Sequence, residues 1–295
     1  MNSPGNSLKG NNLKEWIGRS ETVSDVVTPT PYAALSATLD RPAERPTPGT
    51  PLPALWHWLY FLPLHRQSEI GPDGHAKRGG FLPPIPLPRR MWAGSQFQFH
   101  EPVRVGDAVT RVSTIHDVTE KSGRTGPLVF VKVRHEISRE GSSKVAITEF
   151  HDIVYREAAK PDDVAPPPQP APESSAWEKG WVPDDVLLFR YSALTFNGHR
   201  IHYDRKYVTE TEGYPGLIVH GPLIATLLLD LLRHKLPDAE VAEYRFKAVR
   251  PTFDINTFSV HGEPEAGSQG DGKTFHLWAK DHEGWLTMDA TAVIR

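Results

Sequence analysis

Apolar residues recur in two rhythms along the chain, and the two rhythms come in the same order twice. In LPALWHWLYFLPL, Leu52 to Leu64, they occupy every side of the segment behind an early Pro, which predicts a short buried helix. A Pro- and Gly-rich excursion from His65 to Arg90 follows. Then FQFHEPVRVGDAVTRVSTIHDV, PLVFVKVRHEIS and KVAITEFHDIVYRE read as strands, with Val129, Val131 and Val133 marking the period of two of a half-buried sheet. SREGSS, Ser138 to Ser143, supplies a hairpin turn between the last two.

The second half repeats the order. An apolar helix, Pro222 to Arg233, precedes EYRFKAVRPTFDINTFSVHG, KTFHLWAKD and GWLTMDATAVIR, with DHEG, Asp281 to Gly284, as the matching turn. EPVRVGDAV and RPTFDINTF each set a Pro ahead of an Asp that opens a strand. An internal duplication is the economical explanation, each half being a long helix followed by an antiparallel sheet. Leu223, Ile224, Leu227, Leu228, Leu229, Leu231 and Leu232 lie on several faces of their helix, as a helix wrapped by a sheet requires. The expected fold is α+β, a hot dog twice in one chain. Between the halves, AAKPDDVAPPPQPAPESSA has no hydrophobic period and reads as an extended linker. The expected organisation is a non-catalytic first domain over 1–157, a linker over 158–178 and a catalytic domain over 179–295.

Composition narrows the field. The chain has 295 residues, 38% hydrophobic and 23% charged, a globular balance. Lys plus Arg number 33 against 36 acidic residues, so no basic bias points to nucleic acid or an anionic membrane. There is no Cys, which excludes disulfides, thiolate nucleophiles and thiolate metal sites and fits a cytoplasmic protein. The polar start MNSPGNSLKGNNLKEW lacks a signal-peptide core. GLIVHGPLIATLLLDLL, broken by His220, Pro222 and Asp230, is a buried helix rather than a membrane span.

Chemistry concentrates in YSALTFNGHRIHYD, Tyr191 to Asp204, which follows the strand-like VLLFRYSA. The run resembles the signature of the MaoC-like, R-specific enoyl-CoA hydratases and dehydratases, in which an aromatic residue and a small-residue turn lead to S-G-D-x-N-P-I-H. Thr195, Phe196, Asn197, Gly198, His199, Arg200, Ile201 and His202 occupy those places. GLIVHGPL, Gly216 to Leu223, resembles the family's His-Gly pair at the start of the central helix. LKEWIGRSETVSDVVTP, GGFLPPIPLPRRMWAGSQFQFHEPVRVGD and LWAKDHEGWLTMDATA extend the resemblance over nearly the whole chain. They look like the branch that includes mesaconyl-C4-CoA (3-methylfumaryl-CoA) hydratase, itaconyl-CoA hydratase-like proteins and type 2 hydroxyacyl-thioester dehydratases.

The resemblance implies reversible hydration of an enoyl-CoA, with a small branched dicarboxylic acyl group such as mesaconyl-C4 or itaconyl. Coenzyme A enters as part of the substrate, no metal or other cofactor is implied, and a homodimer stays open. It also exposes a departure, since Asn197 stands where the family has a catalytic Asp. An amide cannot act as a base, though it can orient water. His202 is then the expected base and Asn197 the positioning group. Gly221 is the expected oxyanion donor at the helix N-terminus, with His220 either a pocket neighbour or a helix cap. Arg200, Arg205, Lys206 and Arg250 are candidates for the coenzyme A phosphates. Ser192 and Thr195 lack a nucleophile elbow, and Trp56 and Trp58 read as core. His199 and His202 lack further ligands for a metal. The first half has no N-G-H-R-I-H, and its excursion is expected to cover the pocket of the second. Rival readings are a 3-hydroxyacyl-thioester dehydratase of fatty acid synthesis, a thioesterase, and an acyl-CoA-binding module that has lost its activity.

Overall fold

The strand-period segments form one continuous sheet. In the computed structural model, which describes residues 12–42, 45–123, 126–158, 167–265 and 273–295, ten antiparallel strands join. The first half contributes β1 (Ser20–Val26), β2 (Arg89–Phe99), β3 (Ala108–Gly123), β4 (Gly126–Arg139) and β5 (Val145–Arg156). The second contributes β6 (Trp177–Trp181), β7 (Val241–Ala248), β8 (Phe258–Pro264), β9 (Lys273–Asp281) and β10 (Leu286–Ile294). The order β1-β3-β4-β5-β2-β7-β10-β9-β8-β6 reads the same from either edge once each strand is exchanged for its counterpart. The duplication is therefore visible as a pseudo-two-fold axis through the β2–β7 joint, where Gln96 faces Arg245. Smaller details repeat too. The bridge Pro51–Arg104 has its counterpart in Ile218–Phe253.

The central helix of the second half, α4 (Gly221–Lys235), is buried from Leu223 through Leu232. The inner faces of β7 to β10 are apolar against it, through Tyr244, Phe246, Val260, Leu277 and Ala290. Asp230, the misfit in that apolar run, is ion-paired with Arg41 of the first half. No described helix is long and apolar enough to cross a membrane.

Two helix expectations need correction. Among the described residues the first half has no counterpart of α4: Leu52 to Leu64 contains only a 3-10 turn over Trp56–Leu59. Leu55 (φ 71°) and Phe61 (φ 54°) adopt left-handed backbone that a continuing helix excludes. The apolar pattern reported burial correctly, since Leu55, Trp56, Leu59, Tyr60 and Phe61 are all buried, but burial alone does not specify a helix. The run around VLLFRYSA, expected as a strand, is instead α2 (Asp185–Leu194). Asp184 caps it by accepting from the Leu187 N–H at 2.8 Å, and Leu188 and Tyr191 share its buried face. A first helix, α1 (Pro29–Thr38), packs beside it. Part of the linker, 159–166, lies outside the described residues, as does the polar start 1–11. The rest of the linker lies along the second half, with the Gln169 carbonyl accepting from Leu286 N–H at 2.8 Å.

Candidate active site

The polar run after α2 is folded by its own side chains. Phe196 takes a left-handed φ of 50°, and Asn197 N–H donates to the Ser192 carbonyl at 2.8 Å. The Asn197 Oδ1 accepts from His199 N–H at 3.0 Å, an Asx turn. A 3-10 turn over Arg200–His202 follows, and Asp204 caps the short helix α3 (Arg205–Glu210) through Tyr207 N–H. Ile218 N–H donates to Ile201 O at 3.0 Å, tying the loop to the segment that enters α4.

This places His202 in the interior, only 7% exposed. Its Nδ1 lies 2.6 Å from the Ile218 carbonyl. A carbonyl can only accept, so Nδ1 carries the proton and Nε2 keeps its lone pair. Burial pushes the imidazole down to about 4, against the pull of the Ile218 hydrogen bond, so it is neutral at ordinary pH. His220 stacks on it, with ring centroids 3.8 Å apart and planes 18° from parallel. The His220 Nε2 is 2.8 Å from Ser192 Oγ, while its Nδ1 is buried without a partner among the described residues. His220 occupies the N-cap position of α4 but makes no side-chain cap hydrogen bond. Gly221 then opens α4, followed by Pro222, which has no N–H. The free N–H groups of this first turn form the positive end of the helix dipole. A Cβ on Gly221 would meet only Met288 Cε, at 3.9 Å, so the space beside this residue is open.

The first half completes the site. Its excursion docks on the polar run: Arg200 N–H donates to Asp73 O at 2.9 Å, and Arg200 Nη1 to Pro72 O at 3.0 Å. Gly74 lies directly against the Gly198 backbone. The His75 ring sits 3.9 Å from that of His199, and His199 meets His202 edge-on at 5.5 Å. His75, His199, His202 and His220 thus form a continuous row of imidazoles, with Asp73 behind His75 at 3.1 Å. Burial pushes His199 down to about 2, with the neighbouring His75 and His202 adding to the effect. Asp73 stays ionised well below the usual carboxylate range, because the hydrogen bond and charge of His75 outweigh its desolvation. The donor atoms of Asp73, His75 and His199 lie within 4.8 Å of one another, so a metal ion could be held there. The Asp73–His75 pair is joined by a hydrogen bond, and the His75 ring lies against that of His199.

The cations expected at coenzyme A divide. Arg200 is bound to Asp204 (2.7 Å) and stacked on Tyr207, and Arg205 bridges Asp185 and Asp254 at 2.5 Å each. Both hold the loop together through these pairs. Arg250 lies 3.6 Å from Asp281, and Lys206 is exposed on α3. Sequence reasoning missed Asp73 and His75, whose sole signal was a D-G turn pair inside a long loop, and it set Ser192 aside when it is the partner of His220.

The inner face of the first half differs from the second in kind. Where α4 would lie, Glu149 is buried among His57, Trp58 and Ser95, each 3.3 Å away. His135 and His151 flank it. Desolvation opposes its ionisation, but the His57 hydrogen bond and nearby imidazoles prevail and hold it at about 2. Burial drives His135 down to about 3 and His151 to about 4.

A double sheet wrapped on one helix, with a neutral imidazole beside that helix's N-terminus, defines the thioester hydratases and dehydratases of the hot-dog fold. The chain belongs to the hydroxyacyl-thioester dehydratase type 2 family, whose model matches residues 55–254. It is 45% identical over 276 residues to mesaconyl-C(4)-CoA hydratase of Chloroflexus aurantiacus, covering 94% of this chain and 95% of that protein. A solved MaoC-like dehydratase shares the fold at TM-score 0.71 and 13% identity, covering 95% of this chain and 98% of that one. A Mycobacterium tuberculosis protein described as a double hot dog does so at 0.60 and 14%, over 94% and 96%.

Proposed function

We propose that this protein is a hydro-lyase that adds water reversibly across the α,β double bond of an enoyl-CoA, with a small branched dicarboxylic acyl group of the mesaconyl-C4 kind. The observation that carries the reading is the state of His202, with Nδ1 donating to Ile218 O and Nε2 left as a neutral acceptor beside the α4 N-terminus. Similarity to mesaconyl-C(4)-CoA hydratase along almost the full chain supports the acyl group.

In the forward direction Nε2 of His202 takes a proton from water as the oxygen bonds to Cβ. The π electrons move to Cα and onto the thioester oxygen, where the Gly221 N–H and the helix dipole stabilise the enolate. Imidazolium then returns its proton to Cα, so one water is added and nothing is oxidised. Asn197 has its carbonyl oxygen committed to the turn and offers its NH₂ to orient the water. The carboxylate missing at 197 enters from the first half as Asp73, one hydrogen bond behind His75. Water addition is redox-neutral, so the proposed chemistry calls for no redox cofactor.

Incubation of the full chain with mesaconyl-C4-CoA tests the reading. Loss of the conjugated-thioester absorbance without release of free thiol is expected, and thiol release would instead indicate a thioesterase. His202→Ala is expected to lower kcat by about 10²- to 10⁴-fold. Undiminished turnover in that variant would remove His202 from the mechanism.

A further inference from the structure

The pairing of β2 fixes which of its side chains face inward. Arg90, Trp92, Ser95 and Phe97 stand opposite Tyr155, Ile153, His151 and Glu149 of β5. Those in turn stand opposite Val129, Val131, Val133 and His135 of β4, and the three valines are buried. A bulge between Trp92 and Gly94 accounts for the odd spacing. Arg90 is therefore a half-buried guanidinium on the inner face of the first half, hydrogen-bonded to the Tyr155 hydroxyl. It forms no ion pair among the described residues. Both acids on this side are already engaged, Glu149 by His57 and Asp73 by His75.

A second guanidinium, Arg78, lies over the Tyr155 ring at 5.9 Å and donates to the Ile85 and Pro88 carbonyls. It too has no carboxylate partner among the described residues. Arg78 is exposed and Arg90 only half-buried, so Arg90 can take up an anion at its free N–H groups without first breaking an ion pair. Arg90 lies close enough to His75, His199 and His151 for its charge to depress all three. That puts its field next to the imidazole row ending at His202.

The chemistry of a methylfumaryl thioester places the same demand. Its carboxylate sits on Cβ, the carbon that receives the hydroxyl, so the anion must rest within a few bonds of the water held by His202. We infer that Arg90, on the inner face of β2 and backed by Tyr155 and Arg78, is the anchor for the acyl carboxylate. This rests on the hydratase reading above and adds to it the residue that selects a dicarboxylic over a neutral acyl chain. A guanidinium suits the task because its fork matches both carboxylate oxygens.

The test compares mesaconyl-C4-CoA with crotonyl-CoA, which has no second carboxylate, in the full chain. Arg90→Gln is expected to lower kcat/KM for the dicarboxylic substrate by roughly 10- to 100-fold, the range for a charged hydrogen-bonded pair. With crotonyl-CoA it should stay within about threefold, so that the ratio of the two substrates collapses. Should Arg90→Gln fail to fold, Arg90→Lys carries the test, since a compact ammonium cannot grip a carboxylate in two places. That variant is expected to lose about tenfold with the dicarboxylic substrate alone. Equal losses with both substrates, or no loss with either, would overturn the anchor while leaving the hydratase intact. Failure of the wild type to hydrate mesaconyl-C4-CoA while it hydrates crotonyl-CoA would overturn the dicarboxylic reading and the anchor together.

Discussion

His202 is held as a neutral acceptor by two separate features, a hydrogen bond that fixes its tautomer and a dry environment that keeps it uncharged. The direction of its shift gives a pH prediction. An ordinary imidazole would be half protonated near 6.5, but His202 titrates at about 4 in the folded protein. The acid limb of kcat/KM is therefore expected well below pH 6, with activity kept from 7 down to about 5. A limb centred near 6.5 would show that His202 is not the essential base. Stability follows the same sign. The unfolded chain takes up protons below 6.5 that folded His202, His151 and His135 refuse until about 4, about 4 and about 3. Folding stability is thus full above 6.5 and declines as pH falls towards 4, which chemical denaturation across that window would measure. That His202 belongs to the candidate site was legible in N-G-H-R-I-H. Its neutrality was not, because burial arises from Ile218, His220 and α4 rather than from the run itself.

At the level of elements, the excursion from the first half decides whether the row of imidazoles exists. Gly74 has φ +89°, and a Cβ there would overlap the Gly198 carbonyl oxygen. Gly74→Ala is therefore expected to push the excursion off the polar run. Displacement of catalytic groups by about 1 Å can cost ~10²-fold, so kcat/KM should fall on that order while the melting temperature moves by only a few degrees. Wild-type activity in Gly74→Ala would mean that His75 and Asp73 contribute nothing. The sequence showed that a long Pro- and Gly-rich segment was there to cover something. It could not show that His75 meets His199, because that contact depends on how the two halves sit together. α2 was misread for a local reason: the Asp184 cap was passed over in favour of the apolar run behind it. The missing first-half helix had the opposite cause, a correct burial pattern that two left-handed residues fold another way.

The whole molecule depends on the joint between β2 and β7. Gly94 lies at that joint, where a Cβ would overlap the Phe246 carbonyl oxygen. Gly94→Val is expected to force the strands apart, and overpacking of this kind costs about 1–3 kcal/mol. For a chain of this size that is a fall in melting temperature of roughly 2–10 °C. Calorimetry should show the shift in a single transition, because Arg41–Asp230, the sheet and the excursion couple both halves. Two separate transitions would show the halves to be independent. The duplication and the double hot dog were readable from the repeated order of rhythms, since the period of apolar residues reports sheet and helix directly. Which half kept a helix and which filled its cradle with Glu149, His57, His135 and His151 was not, because such a polar cluster has no period.

The same joint imposes a schedule on synthesis. β2 leaves the ribosome long before β7, and its outer edge then presents unpaired N–H and C=O groups with Trp92, Phe97 and Phe99 beside them. An open, aromatic strand edge is a template for pairing with any other chain. Closing it requires a contact distant in sequence, which is slow to form. The nascent first half is thus the interval of greatest aggregation hazard for this protein, and it ends only when β7 has been made.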